Sequence, residues 1–252
     1  MLINDLVTNL LSTHRLDAIA LIPGQSLTYI TGLHFHTSER PVTLIISKDQ
    51  SVLILPELEV AKSNQSKIAL HVIPFKDNPA SWPLAFAQAI QYLGLQKAKI
   101  GVESTRMRYQ ELSLLQQSSP GLAFLSGDVL LTTLRIQKSG DEIQSIRQAV
   151  KIAEDALTAT LPVIGPGTSE AQIALELTIN LIRFGSITGS SFEPIVAAGP
   201  NAANPHATIS DRVLQNGDLL IIDWGAVYND YISDLTRTFA IGPVEEELAR
   251  IV

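Results

Sequence analysis

The stretch LLIIDWGAVYNDYISDLTRTFAIG, residues 219–242, decides how the carboxyl-terminal half of the chain folds. Four aliphatic residues, Leu219 to Ile222, run straight into Asp223, and a second carboxylate, Asp234, follows eleven positions later. Strand side chains alternate between faces with period two, and Tyr228-Asn229-Asp230-Tyr231 carries the chemistry of a tight turn. The stretch therefore predicts a β-hairpin of Leu219 to Val227 against Tyr231 to Ala240. The turn falls at Tyr228-Asn229 or at Asn229-Asp230. Either placement puts Asp223 and Asp234 on one face, as opposite or diagonal neighbours.

Two carboxylates on a largely apolar sheet repel, and each costs on the order of several kcal/mol if buried without a partner. A shared proton, an arginine or a cation would relieve them. Arg237 is near in sequence, but alternation turns it to the opposite face. Paired aspartate oxygens suit a hard divalent ion such as Mn²⁺. On spacing alone, a turn aspartate beside a surface aspartate stays equally open.

Upstream, Gly199-Pro200-Asn201 and Asn204-Pro205 force turns around His206. A histidine held there ahead of a carboxylate strand reads as a proton shuttle or an oxyanion donor, or as a solvated loop residue.

The rest of the chain sets the context. Its 252 residues suit two domains, and 46% hydrophobic residues provide a sizeable core. A net charge of −7 without a basic run argues against nucleic acid as a partner. No cysteine is present, which removes disulfides, zinc fingers and thiol nucleophiles and suits the cytoplasm. The opening residues carry no basic region ahead of their apolar part. Leu2, Leu6, Leu10 and Leu11 instead recur at helical spacing, so a first helix is expected rather than a targeting signal. No apolar run reaches the roughly 18 residues that span a bilayer.

Strands are expected at 16–22, 42–47, 51–56, 68–75, 99–104 and 123–126. Helices are expected at 57–67, across LAFAQAIQYL and at 106–117. PGQSLTYITG reads as turns with a short extended piece. This alternation predicts an α/β domain over residues 1–133. From Lys138 to Leu161, Ile143, Ile146, Val150, Ala153, Ala156 and Leu157 mark a long amphipathic helix. Thr168 or Ser169 caps the next, over 170–184. Strands follow as far as Gly242, and Pro243 opens a helix over VEEELARIV. Only two to three turns of that helix are written, about 3.6 residues each. An interrupted chain is therefore expected.

Three stretches together carry a resemblance: SSFEPIVAAGPNAANPHA, GDLLIIDWGAVYNDYISDLTRTFAIG and LRIQKSGDEIQSIRQAVKIAEDAL. They resemble the metallopeptidases of the pita-bread fold, the family of Xaa-Pro aminopeptidase, Xaa-Pro dipeptidase (prolidase), methionine aminopeptidase and creatinase. LTYITG and the α/β domain around it resemble the creatinase/prolidase amino-terminal domain. The resemblance implies an incomplete α+β pita-bread catalytic domain over residues 134–252.

Carried over by position, Asp223 matches the ligand of one metal ion, Asp234 the ligand shared by two, and His206 the histidine that holds substrate and stabilises the oxyanion. The family completes the site with a later His and two Glu, which would lie beyond residue 252. His14, His34, His36 and His71 do not match that motif. The resemblance implies two divalent ions, Mn²⁺ before Co²⁺ or Zn²⁺, a proline-containing peptide as substrate, a homodimer, and little turnover by these residues alone. Methionine aminopeptidase usually lacks the first domain, so Xaa-Pro cleavage is preferred, with creatinase open. A non-catalytic pita-bread peptide- or protein-binding module, or an inactive fragment, is the competing expectation.

Overall fold

The computed structural model describes residues 3–250. The expected helical position Leu2, and Ile251 and Val252 at the end of the last expected helix, lie outside them. The chain divides into two compact units, Met1–Gln137 and Lys138–Val252.

The first unit runs α1 (Ile3–Thr13), β1 (Ala18–Leu21), α2 (Gln25–Thr31), β2 (Thr43–Ser47), β3 (Ser51–Pro56), α3 (Val60–Ser63), β4 (His71–Phe75), α4 (Trp82–Tyr92), β5 (Lys99–Val102), α5 (Tyr109–Ser118), β6 (Ala123–Ser126) and α6 (Asp128–Ile136). Its six-stranded sheet has the order β4-β3-β2-β1-β5-β6. The β2–β3 hairpin is antiparallel, and β5 and β6 continue parallel to β1. β1 and β3 are buried along their whole length, as aliphatic strands covered on both faces must be. One face packs with Leu11, Leu27 and Leu131, the other with Phe86, Ile90 and Leu115. Pro74 lies on the edge strand β4, where no ladder N–H is missed.

Three expectations change here. PGQSLTYITG contains helix α2. Its β-branched and aromatic residues suggest extended backbone, but Leu27 and Ile30 reach the core at helical spacing. Gly32, at φ 71°, then ends the helix, its N–H donating to Thr28 O at 2.7 Å. The helix expected over 57–67 is one 3₁₀ turn followed by the single turn of α3. α6 was not foreseen, and it runs through the expected division at 133/134. His34 and His36 lie, exposed, in the loop between α2 and β2.

The second unit runs α7 (Gly140–Thr160), α8 (Glu170–Arg183), β7 (Ile195–Ala198), β8 (Leu219–Trp224), β9 (Val227–Tyr228), β10 (Tyr231–Ile232), β11 (Leu235–Ala240) and α9 (Glu246–Ala249). Both long helices start with capping boxes, Ser139 with Glu142 and Ser169 with Gln172. They cover one face of an antiparallel sheet of order β11-β8-β7. Ala153, Ile173 and Leu177 from the helices meet Val196, Leu220 and Trp224 from the strands. Asn229 and Asp230 both take positive φ, 46° and 67°, so the hairpin turns there. Tyr231 returns from that turn to donate its phenol to Glu142 Oε1 at 2.5 Å, tying the hairpin to the start of α7. Among the described residues no helix is long and apolar enough to cross a membrane.

Candidate metal centre

The turn at Asn229-Asp230 sets the register: Thr236 lies opposite Asp223, and Leu235 opposite Trp224. Asp234, one residue before β11, is thus the diagonal neighbour of Asp223 on the same face. Leu220, Ile222 and Trp224 alternate inward and are buried, which leaves Asp223 on the open face, half-buried, beside an exposed Asp234. Arg237 does not neutralise the pair. Its Nη2 lies 4.0 Å from Glu154 Oε1 on α7, on the helix-covered side.

Burial pushes the Asp223 carboxyl above the usual range, the charge of Asp234 adds to this, and the Thr236 hydroxyl opposes it. Asp223 Oδ1 is buried and has no hydrogen-bond partner among the described residues. A buried carboxylate oxygen without a donor, next to a second carboxylate, fits a hard cation. Among the described residues no group of three or more His, Cys, Asp or Glu is arranged to hold a metal ion, so the pair has no third ligand there.

His206 is exposed. Its backbone N–H donates to Asn204 Oδ1 at 3.0 Å, an Asx turn that shapes the Asn204-Pro205-His206 corner. β7 pairs Ile195 with Asp223 and Ala198 with Leu220, so the His206 loop leaves the sheet at the end away from Asp223. The loop, and not a strand, governs where His206 sits.

Two anchors hold that loop. Arg212 grips Asp218 with two hydrogen bonds, 2.7 and 2.9 Å, and Gln215 N adds a third at 2.8 Å. Gly199, at φ 53°, lies against this pair. A Cβ there would sit 2.5 Å from both Asp218 Oδ1 and Arg212 Nη2. The second anchor is Glu170, fully buried at the start of α8, which accepts from Ala198 N, Asn201 Nδ2, Ser210 N and Ser210 Oγ. The only sequence signal for Glu170 was an acid in a helix's first turn, which most helices carry. Thr236 was legible by parity, two positions after Asp234, but its contact with Asp223 was not.

The Arg212 hydrogen bonds hold the Asp218 carboxyl below the ordinary carboxylate range, against the opposing effect of burial. A carboxyl lowered in the folded state adds stability above its unfolded value, about 4, and that stability is lost as pH falls through the folded value. Thermal melts of the chain from pH 7 down to 3 are expected to show an acid-side loss that Asp218→Asn flattens. Asp218→Asn is also expected to cost about 1.5–3 kcal/mol at pH 7, from lost hydrogen bonds to a charged group. Parallel pH profiles for the two proteins would contradict the assignment.

Residues 5–137 match the creatinase/prolidase N-terminal domain, and residues 144–252 match metallopeptidase family M24. An uncharacterised peptidase of Bacillus subtilis is 28% identical over 243 residues, covering 96% of this chain and 66% of its own. The Xaa-Pro dipeptidase of Pyrococcus furiosus is 31% identical over 208 residues, covering 82% of this chain and 56% of its own. The chain thus spans less than two thirds of the length of these relatives. Among solved structures, a dipeptidase from Pyrococcus horikoshii superposes with TM-score 0.88 at 31% identity, covering 100% of this chain and 68% of the other. A prolidase from Thermococcus sibiricus gives TM-score 0.90 at 27% identity, covering 99% and 67%. The two family matches follow one another along the chain and the superpositions cover both units, so the chain belongs to metallopeptidase family M24, in the branch whose pita-bread domain follows a creatinase/prolidase N-terminal domain.

Proposed function

We propose that Asp223 and Asp234 hold divalent metal, Mn²⁺ before Co²⁺ or Zn²⁺, in a site that hydrolyses the peptide bond preceding proline, as an Xaa-Pro dipeptidase or aminopeptidase. The observation that carries this is the donorless buried oxygen of Asp223 beside Asp234. The name of the Pyrococcus furiosus relative supports the substrate class. When bound, the metal supplies a Lewis acid that lowers the pKa of water.

The chain's own residues do the rest. Asp223 and Asp234 would hold the metal through their carboxylate oxygens, and the aliphatic run of β8 keeps Asp223 on a rigid strand. His206 donates a hydrogen bond to the substrate carbonyl oxygen as negative charge grows there. The amide before proline has no N–H and its ring fixes φ, so recognition rests on shape and on the carbonyl that His206 meets.

The test is titration of the chain with Mn²⁺, followed by electron paramagnetic resonance. Two carboxylates bind weakly, so the reading is comparative. Asp223→Asn is expected to weaken binding at least about tenfold, the lower limit for disturbing a metal's supporting shell. Equal affinity in wild type and Asp223→Asn would sink the metal assignment. Binding of a proline-containing peptide with no metal uptake would instead favour a non-catalytic binding module.

We also propose a cytoplasmic homodimer. A chain without cysteine suits a reducing compartment. A monomer in sedimentation at micromolar concentration would remove the dimer, and recovery from an extracytoplasmic fraction would remove the location.

A further inference from the structure

Glu170 is a fully buried carboxylate that the proposed chemistry does not use. An acid in a helix's first turn ordinarily stays at the surface and answers to the dipole. This one instead reaches residues 28 to 40 positions away. Its Oε1 accepts from Ala198 N at 2.8 Å and Asn201 Nδ2 at 3.1 Å. Its Oε2 accepts from Ser210 N at 3.2 Å and Ser210 Oγ at 2.6 Å, with Asn201 Nδ2 again at 3.3 Å. The backbone follows the side chain: Glu170 N donates to Arg212 O at 3.0 Å and Ala171 N to Ser210 O at 3.1 Å.

The two oxygens therefore take opposite ends of one loop. Oε1 holds the departure from β7 at Ala198 and the turn at Asn201, and Oε2 holds the return at Ser210. Between them lies His206. A buried charge is tolerated only where its hydrogen bonds are complete, so one end cannot be released without leaving a buried acceptor unmet. We propose that Glu170 is the positioning residue for His206: by closing the 198–210 loop on a single buried carboxylate, it sets where the imidazole stands. This rests on the reading of His206 as the substrate-side residue.

The test uses Glu170→Gln. The glutamine retains one carbonyl oxygen for Ala198 and Asn201, but turns an NH₂ group towards the Ser210 N–H. Three nuclear magnetic resonance signals are read on the full chain. They are the His206 ring, assigned with His206→Asn, the Ser210 amide hydrogen exchange, and the Trp224 indole. The indole reports the fold through its bond to Ala153 O. The expected result is an unchanged Trp224 signal, Ser210 exchange about 10- to 100-fold faster, and His206 ring signals that shift and broaden.

A His206 ring unchanged while Ser210 exchanges faster would overturn the proposal, because the tether would then be structural only. If Glu170→Gln does not fold, Ser210→Ala, which removes the 2.6 Å bond, is read by the ring and indole signals with the same two outcomes. The underlying reading fails separately. If Mn²⁺ held by the aspartate pair leaves the wild-type His206 ring sharp, His206 is not beside the metal, whatever Glu170→Gln shows.

Discussion

Gly225→Ala is expected to unfold the second unit. Gly225 sits where β8 passes into the narrow neck of the hairpin. A Cβ there would stand 1.8 Å from Ser233 O and 2.4 Å from Ser191 Oγ. Neither group is free to retreat. Ser233 N donates to Ala226 O, Ser233 Oγ accepts from Ala226 N and donates to Ala149 O on α7, and Ser191 Oγ donates to Ser233 O. On its other side, Gly225 O takes Ser191 N and Ser190 Oγ. Relieving the clash means parting backbone from backbone across a fully bonded crossing.

A cost above about 4 kcal/mol follows, in the range reserved for such failures and comparable to the roughly 5–15 kcal/mol that holds a whole domain. The two tryptophans make the effect readable by unit, since Trp82 lies in the first and Trp224 in the second. Fluorine resonance of 5-fluorotryptophan protein is expected to show Trp224 in an unfolded environment while Trp82 keeps its native signal. A variant that melts within a degree or two of wild type would show that the hairpin neck is looser than this bonding implies.

Trp224→Ala is expected to cost about 3–5 kcal/mol, the range for emptying a buried aromatic site. Trp224 is fully buried between the sheet and α7, and its Nε1 donates to Ala153 O at 2.9 Å. Trp224→Phe separates the two contributions: most of the apolar contact stays and the hydrogen bond goes, so about 1–2 kcal/mol is expected. Urea denaturation followed by circular dichroism measures both. The same loss for Phe as for Ala would mean that the indole N–H, and not the ring's volume, fastens β8 to α7. Trp224 follows Asp223 directly, so Trp224→Ala is also expected to weaken Mn²⁺ binding without touching either carboxylate.

Period-two alternation alone decided, from the sequence, that Asp223 and Asp234 share a face and that Arg237 does not, because that relation survives either placement of the turn. The start of α8 was legible in the same local way, Ser169 being one of the two caps read there, whereas the Ser139–Glu142 box that starts α7 is equally local and was not read. α2 and α6 were not foreseen. The β-branched and aromatic residues of α2 favour extended backbone, and burial in the first unit's core overrides a preference worth at most about 0.7 kcal/mol per residue, while α6 is nine residues whose leucine spacing was not read. The choice of Asn229-Asp230 over Tyr228-Asn229, which makes the aspartates diagonal instead of opposite, took the tertiary structure. So did Glu170's hold on both ends of the His206 loop, because its partners lie 28 to 40 residues on and no period connects them. Local backbone geometry repeats along a chain and can be read from it; a buried carboxylate's partners are chosen by packing, which brings together residues that the sequence keeps apart.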